Sequence, residues 1–167
     1  MKSKYYIYYV EGQCEEKLIN TLKCDSKLIR PGKVQICNVI GKKITQGQLM
    51  MIKPHTVVVL VFDTDVMQTT ILYENIKILE KCSNVDAVIT ITQVRNFEEE
   101  LLYSCDIKNI LEFTHSKSNA DFKRDFIHIS NLQRRLEEVS FDISKFWSRS
   151  PVGSFAKLEN GAEQIKL

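Results

Sequence analysis

Two apolar runs of this 167-residue chain end on acids. In YYIYYVEGQCEEK, residues 5–17, aromatic and β-branched residues run straight into Glu11 and Gly12, with Glu15 three positions after the glycine. In TVVVLVFDTD a longer apolar run ends on Asp63-Thr64-Asp65. Residues i and i+2 of an extended segment face the same side, so Asp63 and Asp65 can act together. Ligands of parallel α/β sheets bind at the carboxyl ends of the strands. If the two runs are neighbouring central strands, Glu11, Asp63 and Asp65 converge on one edge. Crowded carboxylates repel one another unless a cation compensates, and hard oxygen donors suit Mg2+ or Mn2+. The plainer alternative makes each acid a turn former or helix cap after its strand. Gly12, lacking a Cβ, is expected to let the chain turn sharply and a phosphate or metal approach.

The elements that must position these acids follow from periodicity. Residues 4–10 read as a buried strand and 15–23 as a helix with Leu18, Ile19 and Leu22 on one face. A strand over 33–40, a short helix over 45–53 and a fully covered strand over 55–62 come next. A helix over 69–82 and a β-branched strand over 85–94 complete the alternation, which predicts an α/β domain with a mostly parallel central sheet flanked by helices. Beyond residue 95 the pattern is helical: 96–105, 119–129, 131–140 and 143–149, with Asn96, Asn119 and Asn131 as N-caps. The division is therefore an α/β core over 1–95, a helical completion or extension of the same domain over 96–150, and an irregular tail over 151–167.

A chain of this size buries roughly two-thirds of its unfolded surface and needs no staples. The five cysteines form no CxxC or Cys/His cluster, which argues against a zinc site or disulfide framework and fits reduced thiols in a cytoplasmic protein. The amino-terminal apolar run is too short for a signal peptide, and TVVVLVF is far below the ~20 residues that span a bilayer. Net charge is only +2. Between residues 25 and 55, however, Lys27, Arg30, Lys33, Lys42, Lys43 and Lys53 face one acid, Asp25. This stretch, Lys42 and Lys43 above all, is either a nucleic-acid contact or a solvated face.

Glu-Gly after the first strand and an Asp-x-Asp after a later apolar strand together resemble the Toprim domain. That domain is shared by topoisomerases, bacterial primases, OLD-family (overcoming lysogenization defect) nucleases and small RNA-processing nucleases. VEGQCEE, with Glu15 after Glu11-Gly12, and Phe97-Glu98 in TQVRNFEEELL are similar to the OLD-type and RloB-like branch. SKSNADFKRDF is similar to the lysine-bearing helical region of RloB-like proteins. Arg95-Asn96 stands where that branch usually has a proline before the Phe-Glu pair, and no GxxxxGK[ST] occurs in the chain.

The resemblance implies a Toprim-like, Rossmann-like fold and Mg2+- or Mn2+-dependent cleavage of DNA or RNA, in a phage-defence or DNA-processing setting. Asp63 and Asp65 would hold the ion, with Glu11 as a further ligand or the general base. Glu15 and Glu98 would serve a second ion, and Lys117 and Lys123 would neutralise the phosphate. A partner ATPase, another system subunit or a second copy of the chain are the implied protein partners. The helix dipole alone also favours acids in a first turn, so Glu15 and Glu98 admit a structural reading. Glu16, Glu99 and Glu100 read as solvated neighbours. Phe146 and Trp147 read as closing a small helical core. Tyr5, Tyr6, Tyr8 and Tyr9 lie inside a strand and offer no topoisomerase-type nucleophile. Two other readings stand beside the nuclease. VVLVFDTDV is similar to the nucleophile strand of haloacid-dehalogenase-like phosphatases, although that strand normally opens its domain and Glu11 would go unexplained. A non-catalytic module would use the acidic edge for a structural cation or a partner.

Overall fold

The computed structural model describes residues 4–167. Strands β1 (Tyr5–Val10), β2 (Lys33–Ile36), β3 (Thr56–Asp63) and β4 (Val85–Gln93) form one wholly parallel sheet in the order β2-β1-β3-β4. Helices α1 (Gln13–Asn20), α2 (Gln46–Met50) and α3 (Thr70–Glu80) make the crossovers; a turn of π-helix over Thr21–Asp25 prolongs α1. Helices α4 (Phe97–Tyr103), α5 (Ile110–Thr114), α6 (Asn119–Ile127) and α7 (Leu132–Glu138) follow β4. The protein is thus an α/β chain with a Rossmann-like parallel sheet between helices. No helix among the described residues is long and apolar enough to cross a membrane.

The unalternating apolar strands are explained by cover on both faces. Tyr8, Val10, Val57, Val59, Val61, Ile89 and Ile91 face a cluster with α1, α4, α5, α6 and α7, in which Phe97, Phe113, Phe122 and Phe126 stack edge to tilt. Ile7, Tyr9, Val58, Leu60 and Phe62 face the opposite cluster, closed by Leu72 and Leu79 of α3 and by Phe155 of the tail.

Several expectations shift. Strand β2 stops at Ile36, and residues 37–45 are a loop in which Asn38 accepts the amides of Ile40 and Gly41. Residues 143–147 form a turn, with Trp147 in the left-handed region at φ 58°, and the expected helix over 143–149 is absent. Phe146 and Trp147 enter the main core and not a separate one. Asn96 and Asn131 cap their helices, but Ser118, not Asn119, precedes α6; Asn109 caps the unanticipated α5. The tail is anchored: Ile29 bridges Lys166, Gly161 donates to the Thr90 carbonyl at 2.8 Å, and Phe155, Ala162 and Ile165 are buried. A Cβ at Gly161 would lie 2.6 Å from Ile89, so only glycine lets the tail cross β4 this closely.

Candidate functional site

The strand order reverses direction between β1 and β3: β1 connects to β2 on one side, β3 to β4 on the other. The switch point of an open parallel sheet is where crevices form, because the crossovers leave in opposite directions. The strands on either side of it, β1 and β3, carry Glu11 and Asp63 at their carboxyl ends. A cavity of about 300 Å³ opens there, lined by Glu11, Gly12, Gln13, Cys14 and Glu15, by Asn38, Asp63 and Phe97, and by Lys123, Arg124 and Ile127 of α6.

Helix α6 is held over this cavity by Lys17 of α1, whose ammonium donates to the carbonyls of Ile127, at 2.7 Å, and of Ile129. Phe122 and Phe126 turn inward while Lys123 reaches the cavity wall. Lys123 pairs with Glu98 across 3.4 Å. Burial works to lower the Lys123 ammonium, but Glu98, with Glu15 and Asp63, raises it above its ordinary value.

The acids are poorly compensated. Burial first, then the charge of Glu15, pushes Glu11 up to about 7, against the backbone amide of Asp63 and Lys123; Asp65 adds to the rise. Burial, then Glu11, pushes Asp63 up to about 8, with Gln93 opposing. Burial likewise raises Glu15, against its own backbone amide, Gln93 and Lys123. These are the directions expected of carboxylates that share a desolvated space without a full counter-charge.

Gln93 is the polar group that joins them. It is fully buried at the end of β4, and its side-chain Nε2 donates to Asp63 Oδ1 at 2.6 Å and reaches Glu15 Oε1 at 3.5 Å. Its oxygen accepts from the indole N–H of Trp147 at 3.3 Å. Gly12 also spares Glu15 a close contact. Its backbone is extended, at φ −153°, but a Cβ would stand 3.3 Å from Glu15 Oε2. A larger residue there would push the Glu15 carboxylate by a few tenths of an ångström.

The structure therefore brings Glu11, Glu15, Asp63 and Lys123 to one cavity, with Glu98 attached through Lys123. Asp65 is exposed in the loop after β3 and acts on Glu11 and Asp63 only through its charge. Lys117 is exposed between α5 and α6 and does not line the cavity. Lys42 and Lys43 are exposed on the loop that also carries Asn38 to the cavity wall; Lys43 pairs with Glu74 at 2.7 Å. Lys33 and Lys53 line a separate cavity of about 460 Å³ with Tyr5, Ile7 and Tyr9, bounded by β1, β2 and α2.

Sequence reasoning missed Gln93, Trp147 and Glu100. Gln93 shares the inward face of β4 with Ile89 and Ile91, and a polar residue on a buried face is the informative exception. Glu100, expected in solvent, is fully buried: Phe97, Glu100, Leu101 and Ser104 form one helical stripe facing the core. Its carboxylate accepts from Val94 N at 2.9 Å, Trp147 N at 3.2 Å and Arg149 Nη2 at 3.0 Å. All five cysteines are free thiols.

Among the described residues, no three His, Cys, Asp or Glu side chains are drawn tightly enough together to hold a metal ion by themselves. The donor chemistry at Glu11 and Asp63 fits a hard divalent cation all the same. Mg2+ commonly takes one or two carboxylates and fills its other positions with water and substrate phosphate, so it needs no closed protein cage. Comparison with protein-family models, with characterised proteins and with solved structures found no match.

Proposed function

We propose that the acidic cavity is a divalent-cation-dependent site for hydrolysing phosphodiesters of DNA or RNA, in a Toprim-like arrangement. One observation carries the reading. Two half-buried carboxyls, Glu11 and Asp63, end adjacent parallel strands at the topological switch point and face a cavity whose other wall holds Lys123. Glu11 and Asp63 are the residues that would hold Mg2+ or Mn2+. When bound, such an ion stabilises negative charge on the attacking and leaving oxygens.

The chain's own groups supply the rest. Glu11 serves either as a ligand to that ion or, where Asp63 alone carries it, as the base that accepts the proton of an attacking water. Lys123 offers a cation to a phosphate oxygen, and Glu98 keeps that ammonium charged and aimed along the cavity wall. Gln93 holds one oxygen of Asp63 and leaves the second without a hydrogen bond among the described residues. Asp65 stands outside the cavity, which counts against a phosphatase in which Asp63 and Asp65 share one reacting phosphate.

The test is divalent-metal-dependent cleavage of single- and double-stranded DNA and RNA, with Asp63→Asn and Glu11→Gln as controls. Cleavage lost in both variants supports the reading. Cleavage unchanged in both sinks it, and phosphomonoester hydrolysis lost with Asp63→Asn alone would favour a phosphatase. The loop carrying Lys42 and Lys43 borders the same cavity. Charge reversal at both should weaken nucleic-acid binding and flatten its salt dependence.

A further inference from the structure

The orientation of the Gln93 side-chain amide is set from both of its ends. A side-chain amide is nearly symmetric in shape, so burial alone does not decide which end faces Asp63 and Glu15. The orientations differ sharply in energy. With Nε2 toward the acids, the amide donates to Asp63 at 2.6 Å and to Glu15 at 3.5 Å. Turned over, its oxygen would meet two acceptors inside a buried space.

The far side of the amide enforces the same choice whatever the protonation of the acids. Trp147 Nε1–H lies 3.3 Å from Gln93 Oε1, and an indole N–H can only donate. A donor on one side forces the amide oxygen toward it and the amide nitrogen toward the acids.

Trp147 is itself held against cost. Its φ of 58° lies in the left-handed region, which a bulky residue enters only when its surroundings over-determine it. Those surroundings are on hand. The Trp147 amide donates to the buried Glu100, its carbonyl accepts from Asn160 Nδ2 at 2.7 Å, and its ring lies 4.4 Å from that of Phe146. Arg149 Nη2 donates to the Val94 carbonyl at 2.7 Å, so successive residues of the β4 end are gripped by the 147–149 segment, Gln93 through its side chain and Val94 through its backbone.

We propose that Trp147 is a positioning residue for the acidic cavity: its indole N–H fixes the Gln93 amide so that both N–H donors serve Asp63 and Glu15, holding those carboxyls in place for a cation. The role in cation binding rests on the reading of the cavity given above. The control of the Gln93 amide does not.

Trp147 is the single tryptophan of the chain. Biosynthetic replacement by its benzothiophene analogue therefore removes the N–H and keeps the bulk, alongside Trp147→Phe. Mn2+ affinity is measured by electron paramagnetic resonance in the full chain, in both of these, in Gln93→Met and in the double variant. Loss of an outer-shell partner should weaken Mn2+ by about 10-fold in each single variant. The double variant should be no weaker than Gln93→Met, because Trp147 acts only through Gln93. In parallel, the Gln93 side-chain amide protons are followed by nitrogen-correlated NMR. They should be protected from exchange in the native chain and lose that protection when the indole N–H is absent.

Unchanged Mn2+ affinity in the benzothiophene protein overturns the proposal. So does a loss on Trp147→Phe that persists in full in the Gln93→Met background, since Trp147 would then act by packing. Unchanged amide protection overturns it as well. A native chain that takes up no Mn2+ defeats the cation reading, and the amide signal still decides the positioning.

Discussion

Two groups of carboxylates drawn away from solvent, one fully and one partly, lie near one another in this protein and are treated in opposite ways. Glu100 is fully buried, and burial raises its pKa; every other influence on it, from the Val94 and Trp147 amides and the Arg149 guanidinium, works to keep it ionised. At Glu11 and Asp63 burial is joined by the charge of other acids, and the only opposition comes from an amide group and, for Glu11, the distant Lys123. A satisfied buried carboxylate ties chain segments together. A set left short of positive charge stores a demand for a cation. The contrast separates an architectural acid from one available for chemistry, although both follow a core strand.

The largest effect should come from the under-compensated set. Asp63→Asn and Glu11→Gln should each lower metal-dependent cleavage by at least ~10²-fold, the scale of removing one preorganised electrostatic group. Neither should lower the melting temperature of the metal-free protein at pH 8, because each removes a repulsion. A variant that kept its activity or lost several degrees of stability would erase the distinction from Glu100.

Glu100→Ala should behave conversely. Breaking a buried pair by removing one partner costs ~3–5 kcal/mol, and here Arg149 and two backbone amides are left without their acceptor. At ~2–4 °C per kcal/mol for a chain of this size, the melting temperature should fall on the order of 10 °C. Calorimetry showing a loss of only a degree or two would mean that Glu100 does not anchor the carboxyl-terminal segment.

This contrast also marks how much the sequence could reveal. Unalternating apolar strands gave away the covered parallel sheet, and acids at their ends gave away Glu11 and Asp63, since both signals are local. The cavity's far wall was less legible. Lys123 and Lys117 stand on similar footing in the sequence, yet only the first lies on α6 where Lys17 presses that helix against α1. Asp65 shares a motif with Asp63 but leaves the strand after Asp63, so the expected common face ends with the strand. Gln93 and Glu100 were detectable as polar residues on apolar faces. Trp147 was not, because its contact with Gln93 depends on a turn whose geometry is fixed by partners distant in the chain.

A smaller effect should appear in the pH dependence of the metal-free protein. Glu11 and Asp63 have folded values of about 7 and about 8 against ordinary values of 4.5 and 3.8. Between those limits the folded chain binds more protons than the unfolded chain, so stability falls as pH rises. With chelator present, the melting temperature should drop by a few degrees from pH 5.5 to pH 8.5. Asp63→Asn should flatten that slope, and saturating Mg2+ should reverse it by binding the ionised form. A melting temperature that rose with pH in chelator would show that the acids already have their counter-charges.

The smallest stability effect separates the two ion pairs themselves. Lys123 and Glu98 meet across 3.4 Å with the lysine side chain largely in solvent, whereas Arg149 and Glu100 meet at 3.0 Å with the acid fully enclosed. Exposed pairs contribute ~0–1 kcal/mol, so Lys123→Gln should move the melting temperature by no more than about 4 °C. Its cleavage rate should fall nonetheless, because the lost charge faces the cavity and nothing else among the described residues of that wall replaces it except Arg124. That guanidinium is engaged by Asp121 at 3.0 Å and Asp125 at 2.9 Å. If Lys123→Gln unfolded the protein as readily as Glu100→Ala, both pairs would be architectural and the cavity would have no cation reserved for a phosphate.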